Sequence, residues 1–348
     1  MLNKIISESN IQKAKKLIDK YDNIAIITHV SPDGDAIGSS LALFHFLFEI
    51  GKQPNVIVPN SFPQFLSWLK GSGDIVIGDK NPKITEEVIV AAELIFCLDF
   101  NALKRSSQLA AFIEKSKAPK VMVDHHPHPE DFCDVTISHP EISSCSELIF
   151  RLICRMGMFE YITKNGAECI YTGMMTDTGA FTFNSNSPAI YYIISELLRK
   201  GINKDAIYAR IYNNYTESRV RLQGFVLYEK MKIFKKYKTA LITLSKEEQL
   251  KFHREKGDTE GFVNIPLTIR DIVFSVFIRE ETDANIIKLS FRSKGDFPTN
   301  KFASETFNGG GHLNASGGEF YGTLEEAVAL FEKSLPHYED LLKQIKVL

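Results

Sequence analysis

The chain has 348 residues, 44% of them hydrophobic and 24% charged, and its 41 basic and 43 acidic side chains leave a formal charge of −2. That length exceeds one ordinary core and suits two compact domains, while the charge balance excludes a global basic field that would recruit long duplex nucleic acid. Five cysteines without C-x-x-C spacing exclude a disulfide framework and a zinc ribbon, and they read as reduced and structural.

The first segment, MLNKIISESNIQKAKKLIDKYD, has polar residues at helical spacing and no uninterrupted apolar run. It reads as neither a secretory signal nor a membrane span, so the expectation is a cytoplasmic protein with no membrane partner. A helix over residues 11–21 leads into a strand over 24–28, a loop through Gly34 and a helix over 37–50. Further strands are expected at 55–58, 75–77, 93–98 and 120–123, with a weaker one at 135–137, and helical stretches such as 146–156 lie between them. Such alternation predicts an α/β domain with a mostly parallel sheet flanked by helices.

Residues 165–175 are helical in pattern and deliver Asp177 from a helix end. Three helical segments follow Pro188, with Gly201 stopping the first, and β-rich runs from about residue 233 (YKTALITLS, DIVFSVFIRE, NIIKLSFRS) predict a smaller mixed sheet. The Gly-rich NGGGHLNASGG and a helix from Leu324 close the chain. The expected organisation is a metal-binding domain over 1–188, a helical linker over 189–231 and a substrate domain over 232–348, with the two domains facing each other across a cleft.

The chemistry sits in four segments. His29, Asp33 and Asp35 lie in THVSPDGDAIGSS, Asp99 ends LIFCLDF, Asp124, His125 and His126 follow KVMV, and Asp177 lies in GMMTDTGAF. Three of these follow apolar runs that read as buried strands, so their side chains should converge at the carboxyl edge of the sheet. A D-G-D alone is more often a turn, and adjacent histidines alone are a weak signal. Their co-occurrence is informative, because buried unpaired carboxylates are costly and a metal removes that cost. Carboxylate and imidazole ligands without cysteine suit two divalent ions, Mn²⁺ first, with Mg²⁺ or Co²⁺ as substitutes. The spacing H-x-x-x-D-x-D lets one loop offer His29 and Asp33 to one ion and Asp35 to its neighbour, with Gly34 and Gly38 permitting a tight backbone path. Asp99 is the expected bridging carboxylate. A pair about 3.5–4 Å apart lowers the pKa of a bridging water toward about 7, which suits phosphoester hydrolysis.

These segments resemble the four motifs of the DHH phosphoesterase family: HVSPDGDAIGS, the isolated Asp99, Asp124-His125-His126 and TDTGAF. FNGGGHLNASGG is similar to the signature of the DHHA1 domain that often follows. Within the family the motif set and length most resemble the bacterial NrnA-like subfamily of oligoribonucleases and 3′-phosphoadenosine 5′-phosphate (pAp) phosphatases, also called exopolyphosphatase-related. The resemblance implies one Mn²⁺ on His29, Asp33 and Asp99 and a second on Asp35, Asp99, His125 and Asp177. His126 would donate to the scissile phosphate or protonate the leaving oxygen, and Asp124 would orient a histidine or the loop. Hydroxide bridging the two ions would attack phosphorus, giving 5′-mononucleotides from short RNA, or AMP and phosphate from pAp.

Five glycines in eleven residues let backbone amides approach an anion closely, so Gly309, Gly310, Gly311 and His312 read as a phosphate cradle, and the resemblance adds Arg292. From the glycines alone, a flexible turn is an equal alternative. Arg105 and Ser144 are further substrate candidates; the alternatives are a solvated helix residue and an N-cap, the latter shared by Ser143 and Glu147. Exopolyphosphatase, inorganic pyrophosphatase and linear dinucleotide (pApA-type) phosphodiesterase are alternative activities, and a non-catalytic nucleotide-binding protein is the alternative of another class. The sequence also admits a homodimer.

Overall fold

The computed structural model describes residues 4–255, 257–282 and 285–345. The chain divides into two compact units, Met1–Asn214 and Tyr215–Leu348. In the first, α1 (Glu8–Lys20), β1 (Asn23–Ile27), α2 (Gly34–Glu49), β2 (Gln53–Val58) and β3 (Val76–Ile77) are followed by α3 (Pro82–Ala91), β4 (Leu94–Leu98), α4 (Ala110–Lys115), β5 (Lys120–Asp124) and β6 (Val135–Ser138). The helices α5 (Cys145–Arg155), α6 (Lys164–Asp177), α7 (Pro188–Arg199) and α8 (Lys204–Tyr212) complete it. Hence two of the three helices expected after Pro188 belong to this unit.

The sheet order is β3-β2-β1-β4-β5-β6 with every pairing parallel. Alternate side chains face opposite layers: Ile24 and Ile26 pack with α2, α5 and α6, while Ala25 and Ile27 pack with Ile89, Leu109 and Ile113. Burial on both faces explains why the strands read as unbroken apolar runs. The chain leaves β1 in one direction and returns to β4 on its other side, so a crevice opens beyond the carboxyl ends of β1 and β4, where such sheets bind ligands.

One boundary differs from the sequence expectation in a way that matters. The helix α2 starts at Gly34 rather than near residue 37, because Asp33 caps it: Asp33 Oδ1 accepts from Asp35 N and Ala36 N, both at 3.0 Å. Gly34 and Gly38 are therefore helical, and neither has a positive φ. What they permit is close helix packing. A Cβ on Gly34 would lie 2.3 Å from Thr176 Oγ1, and one on Gly38 2.7 Å from Cys169 O. Removing those side chains lets α2 lie against α6, which brings Asp35 toward Asp177.

The second unit comprises α9 (Glu217–Phe225), β7 (Lys232–Phe234), β8 (Thr239–Leu244), α10 (Lys246–Lys251), β9 (Phe274–Glu280) and β10 (Ile287–Ser293), then α11 (Thr299–Thr306), β11 (Gly310–Gly311), β12 (Ala315–Phe320), α12 (Leu324–Ser334) and α13 (Glu339–Gln344). Its sheet runs β11-β12-β10-β9-β8-β7, antiparallel except for β8 with β9. One face carries a phenylalanine core in which the Phe274 ring lies 4.7 Å from Phe297 and 5.1 Å from Phe302. Among the described residues no helix is long and apolar enough to cross a membrane.

Candidate metal centre

Each imidazole of the first unit's acid cluster is oriented from behind by a fixed acceptor. Thr28 and His29 follow β1, and His29 Nδ1 donates to the Val30 carbonyl at 2.9 Å, turning Nε2 to within 3.4 Å of Asp99 Oδ2. His125, just after β5, donates from Nδ1 to the Ile142 carbonyl at 3.2 Å. Its Nε2 then faces three carboxylates: Asp99 Oδ1 at 3.4 Å, Asp177 Oδ2 at 3.5 Å and Asp35 Oδ2 at 3.8 Å. An imidazole with Nδ1 on a backbone carbonyl and Nε2 presented inward is the arrangement that metal sites use. His126 differs, since its Nδ1 donates to Asp124 Oδ1 at 2.8 Å and its main-chain N to Asp124 Oδ2 at 3.0 Å. Asp124 is fully buried and serves this ring.

The acids are held at a cost to the fold. Asp99 follows β4 with φ +64, a left-handed backbone that Asp tolerates better than most residues, and its N–H donates to Val123 O at 3.0 Å. The carboxylate is 2% exposed and its Oδ1 has no hydrogen-bond partner. Asp177 is the last residue of α6, where the negative end of the helix dipole disfavours a carboxylate. Asp35 is 1% exposed, and its oxygens accept from Cys145 N at 2.6 Å and Ser146 N at 2.9 Å.

Protonation follows from that crowding. Burial, then the Asp99 and Asp177 charges, raise the Asp35 carboxyl well above its ordinary range. For Asp99 burial acts upward, but the His125 and His29 imidazoles, each 3.4 Å away, outweigh it and hold the carboxyl well below. Burial lowers both histidines, yet Asp177, Asp99 and Asp35 carry His125 well above its usual value, and Asp99 and Asp33 carry His29 up. His126 stays lowered, because burial, with help from the Arg105 charge, outweighs Asp124.

Within the first unit the potential ligand atoms fall into three groups, one of His29, Asp33 and Asp99, one of Asp35, His125 and Asp177 and one of Asp99, Asp124 and His126, each within 4.8 Å of one another, and in the third Asp124 is already bonded to His126. Donors about 2.1 Å from a cation at ordinary bond angles lie about 3–3.5 Å apart, the spacing of Asp99 and the two histidines. The orphaned Asp99 oxygen and the all-oxygen-and-imidazole donor set thus fit divalent cations. Asp99 reaches the first two groups, with Oδ2 toward His29 and Oδ1 toward His125.

Of the substrate candidates in this unit, Arg105 is half-buried in a 3-10 turn over Leu103–Leu109, near enough for its charge to act on His29 and His126. Ser144 is wholly buried as the N-cap of α5, accepting from Glu147 N at 3.1 Å, so the capping alternative is the one its geometry has. In the second unit, Arg292 lies on β10 in register with Ala315 of β12. Gly310 and Gly311 form β11, and Gly311 has φ +139. The turn after them is pinned: His312 N donates to Ala315 O at 2.8 Å, Thr299 N to Leu313 O at 2.7 Å, and Asn314 Nδ2 to Ser293 Oγ at 2.8 Å. Arg292 and the Gly309–His312 turn thus share one end of the sheet.

Sequence reasoning did not anticipate the Cys145 and Ser146 amides on Asp35, nor Arg151, which donates from Nε to Glu147 Oε1 at 2.8 Å. The i,i+4 spacing of Gly34 and Gly38 was the available signal for close packing beneath the site.

The model of the DHH family, N-terminal domain, matches residues 23–174, and that of the DHHA1 domain matches residues 236–336. A crystal structure of an exopolyphosphatase-related protein from Bacteroides fragilis is 59% identical, covers 99% of this chain and 100% of its own, and superposes with a TM-score of 0.94. The bifunctional oligoribonuclease and PAP phosphatase NrnA of Bacillus subtilis is 27% identical over 330 residues, covering 94% of this chain and 97% of its own. The protein of the same name from Thermus thermophilus is 28% identical over 300 residues, covering 86% and 84%.

Proposed function

The chain belongs to the DHH family and carries a DHHA1 domain, and from that premise we propose that it is a metal-dependent phosphoesterase of short oligoribonucleotides and of 3′-phosphoadenosine 5′-phosphate. Its products are then 5′-mononucleotides in the first case, and AMP and phosphate in the second. The names of the Bacillus and Thermus relatives support this substrate class. The observation that carries the reading is the Asp99 carboxylate, buried and half unbonded, between two oriented histidines.

His29, Asp33 and Asp99 would hold one cation, and Asp35, Asp99, His125 and Asp177 the other. Bound divalent ions, Mn²⁺ by preference, supply Lewis acidity at phosphoryl oxygens and acidify water toward a pKa of about 7. The protein's own groups do the rest. Asp124 engages His126 Nδ1, so proton exchange at His126 passes through Nε2. Burial holds the ring's pKa below its ordinary value, and a phosphate anion beside it favours the charged form, which suits His126 to donate a proton to the leaving oxygen. Arg105 offers a guanidinium to substrate phosphate, and in the second unit Arg292 and the Gly309–His312 turn offer donors for another phosphate.

Polyphosphate is the second reading, favoured by the description of the 59%-identical Bacteroides protein. Parallel Mn²⁺-dependent assays on pAp, di- to pentaribonucleotides, pyrophosphate and polyphosphate decide between them. Turnover of pAp and dinucleotide above polyphosphate is expected; polyphosphate turnover alone would overturn the reading.

A further inference from the structure

The direction of the Asp35 oxygens is set by a different helix from its own. Cys145 N and Ser146 N are the first two amides of α5, an eleven-residue helix, and both point at that carboxylate. The positive end of the helix favours the charge there. Wherever the first turn of α5 lies, Asp35 must follow, and with it the opening toward His125 Nε2 and Asp177.

A buried chain of bonds fixes that turn. Ser143 Oγ donates to Glu147 Oε2 at 2.6 Å, and Ser144 Oγ accepts from Glu147 N at 3.1 Å. Arg151 donates to Glu147 Oε1 from Nε at 2.8 Å and from Nη2 at 2.6 Å. Glu147 is 1% exposed and Arg151 3%, although i,i+4 pairs ordinarily sit on the wet face of a helix. Such a pair gives little stability over apolar packing, so its burial here calls for another reason. Charge supplies one: an uncompensated Glu147 would oppose the amides holding Asp35, and Arg151 cancels it. Geometry supplies the other, since both Glu147 oxygens are bonded and the turn has no freedom to rotate away.

We propose that Ser143, Glu147 and Arg151 are positioning residues, a latch that sets the cation affinity of the Asp35, His125 and Asp177 nest without touching it. This rests on the two-cation reading above. The His29, Asp33 and Asp99 nest takes its supports from the Val30 carbonyl and from the Asp35 and Ala36 amides, with no bond from α5, so the latch acts chiefly on the other nest.

Calorimetric titration of the metal-stripped full chain with Mn²⁺, with free Mn²⁺ followed by its paramagnetic resonance signal, tests this. Wild-type protein takes up two ions. In Ser143→Ala and Glu147→Gln one ion binds as in wild type and the other about 10–100-fold more weakly, the usual cost of losing a supporting partner. Glu147→Asp, too short to span both Ser143 and Arg151, does not rescue. Wild-type affinity for both ions in folded variants overturns the latch, as does equal weakening of both. Should Glu147→Gln misfold, Ser143→Ala, which removes a single hydroxyl, decides alone. A wild-type chain that binds one ion overturns the two-cation reading itself, and with it any selection between nests.

Discussion

Asp99 Oδ1 lies 3.4 Å from His125 Nε2, longer than a strong charge-assisted hydrogen bond, and 3.8 Å from His126 Nδ1, and this carboxylate oxygen accepts no hydrogen bond. Two ligands of one cation stand at such a distance. Asp99→Asn keeps the size of the side chain and its tolerance for left-handed backbone, so far-UV circular dichroism should be unchanged. Mn²⁺-dependent release of product from pAp should fall by about three orders of magnitude or more, equivalent to about 4 kcal/mol of lost charge stabilisation. A folded variant with wild-type turnover would remove Asp99 from the centre.

The metal-free protein should become less stable as pH rises through the neutral range. His29 and His125 both have folded pKa values raised above the ordinary 6.5 by the acids around them, so the folded state holds their protons more tightly than the unfolded chain does. The stability they contribute is fully present below 6.5 and is lost as pH climbs through the raised values. Asp35, also raised, adds a loss of the same sign that begins above the ordinary carboxyl value. Asp99 works oppositely, contributing above its unfolded pKa and losing that only in acid, outside this window. The melting temperature of stripped protein should therefore drop from about pH 6 to about pH 9, and excess Mn²⁺ should remove most of the slope by taking the place of the protons. A flat profile without metal contradicts the acid crowding.

The parallel sheet was legible because IAII, LIFCL and KVMV are buried on both faces, and a polar residue directly after such a run can only sit at a strand end. The pattern therefore puts His29, Asp99 and His125 at one sheet edge, where Asp99 lies 3.4 Å from each histidine. The start of α2 was not legible: D-G-D reads as a turn, and only the bonds from the Asp35 and Ala36 amides to Asp33 show it as a cap. The hold of Cys145 and Ser146 on Asp35 spans 110 residues through backbone atoms, which carry no residue-type signature. The second unit hides its logic similarly, because Gly310 and Gly311 look like a loose loop until their pairing with β12 is seen.

Close packing of α2 on α6 predicts an inverted response to alanine. A Cβ on Gly38 would meet Cys169 O at 2.7 Å and Gly173 N at 2.8 Å, both backbone atoms that cannot step aside. Gly38→Ala should destabilise by about 1–3 kcal/mol despite its better helix propensity. Gly173→Ala would press on Ser146 Oγ at 1.9 Å and Asp35 Oδ1 at 2.7 Å, so Mn²⁺ affinity should fall along with stability. Gly224 in α9 has open space where a Cβ would go, and Gly224→Ala should be neutral or stabilising by up to about 1 kcal/mol. Thermal melts of the three variants check the order; equal effects would mean the contacts at Gly38 and Gly173 relax freely.

Phosphate binding by the second unit should appear in KM more than in kcat. Arg292 Nη1 donates to Phe291 O at 2.9 Å, which fixes the side chain at the same end of the sheet as the His312 turn. A hydrogen bond to a charged phosphate contributes about 1.5–3 kcal/mol, so Arg292→Ala or His312→Ala should raise KM for pAp about 10–100-fold. Because Arg292 belongs to none of the potential ligand groups, Arg292→Ala should leave the affinity for Mn²⁺ at the wild-type value. Arg292→Lys should recover only part of the loss, since an ammonium lacks the two-pronged geometry of guanidinium. Gly309→Ala tests the hairpin independently of charge: its Cβ would fall 2.0 Å from Gly317 O, displacing β11 from β12, and KM should rise with no charge removed. Unchanged KM in both Arg292→Ala and Gly309→Ala would mean that this end of the sheet does not hold substrate.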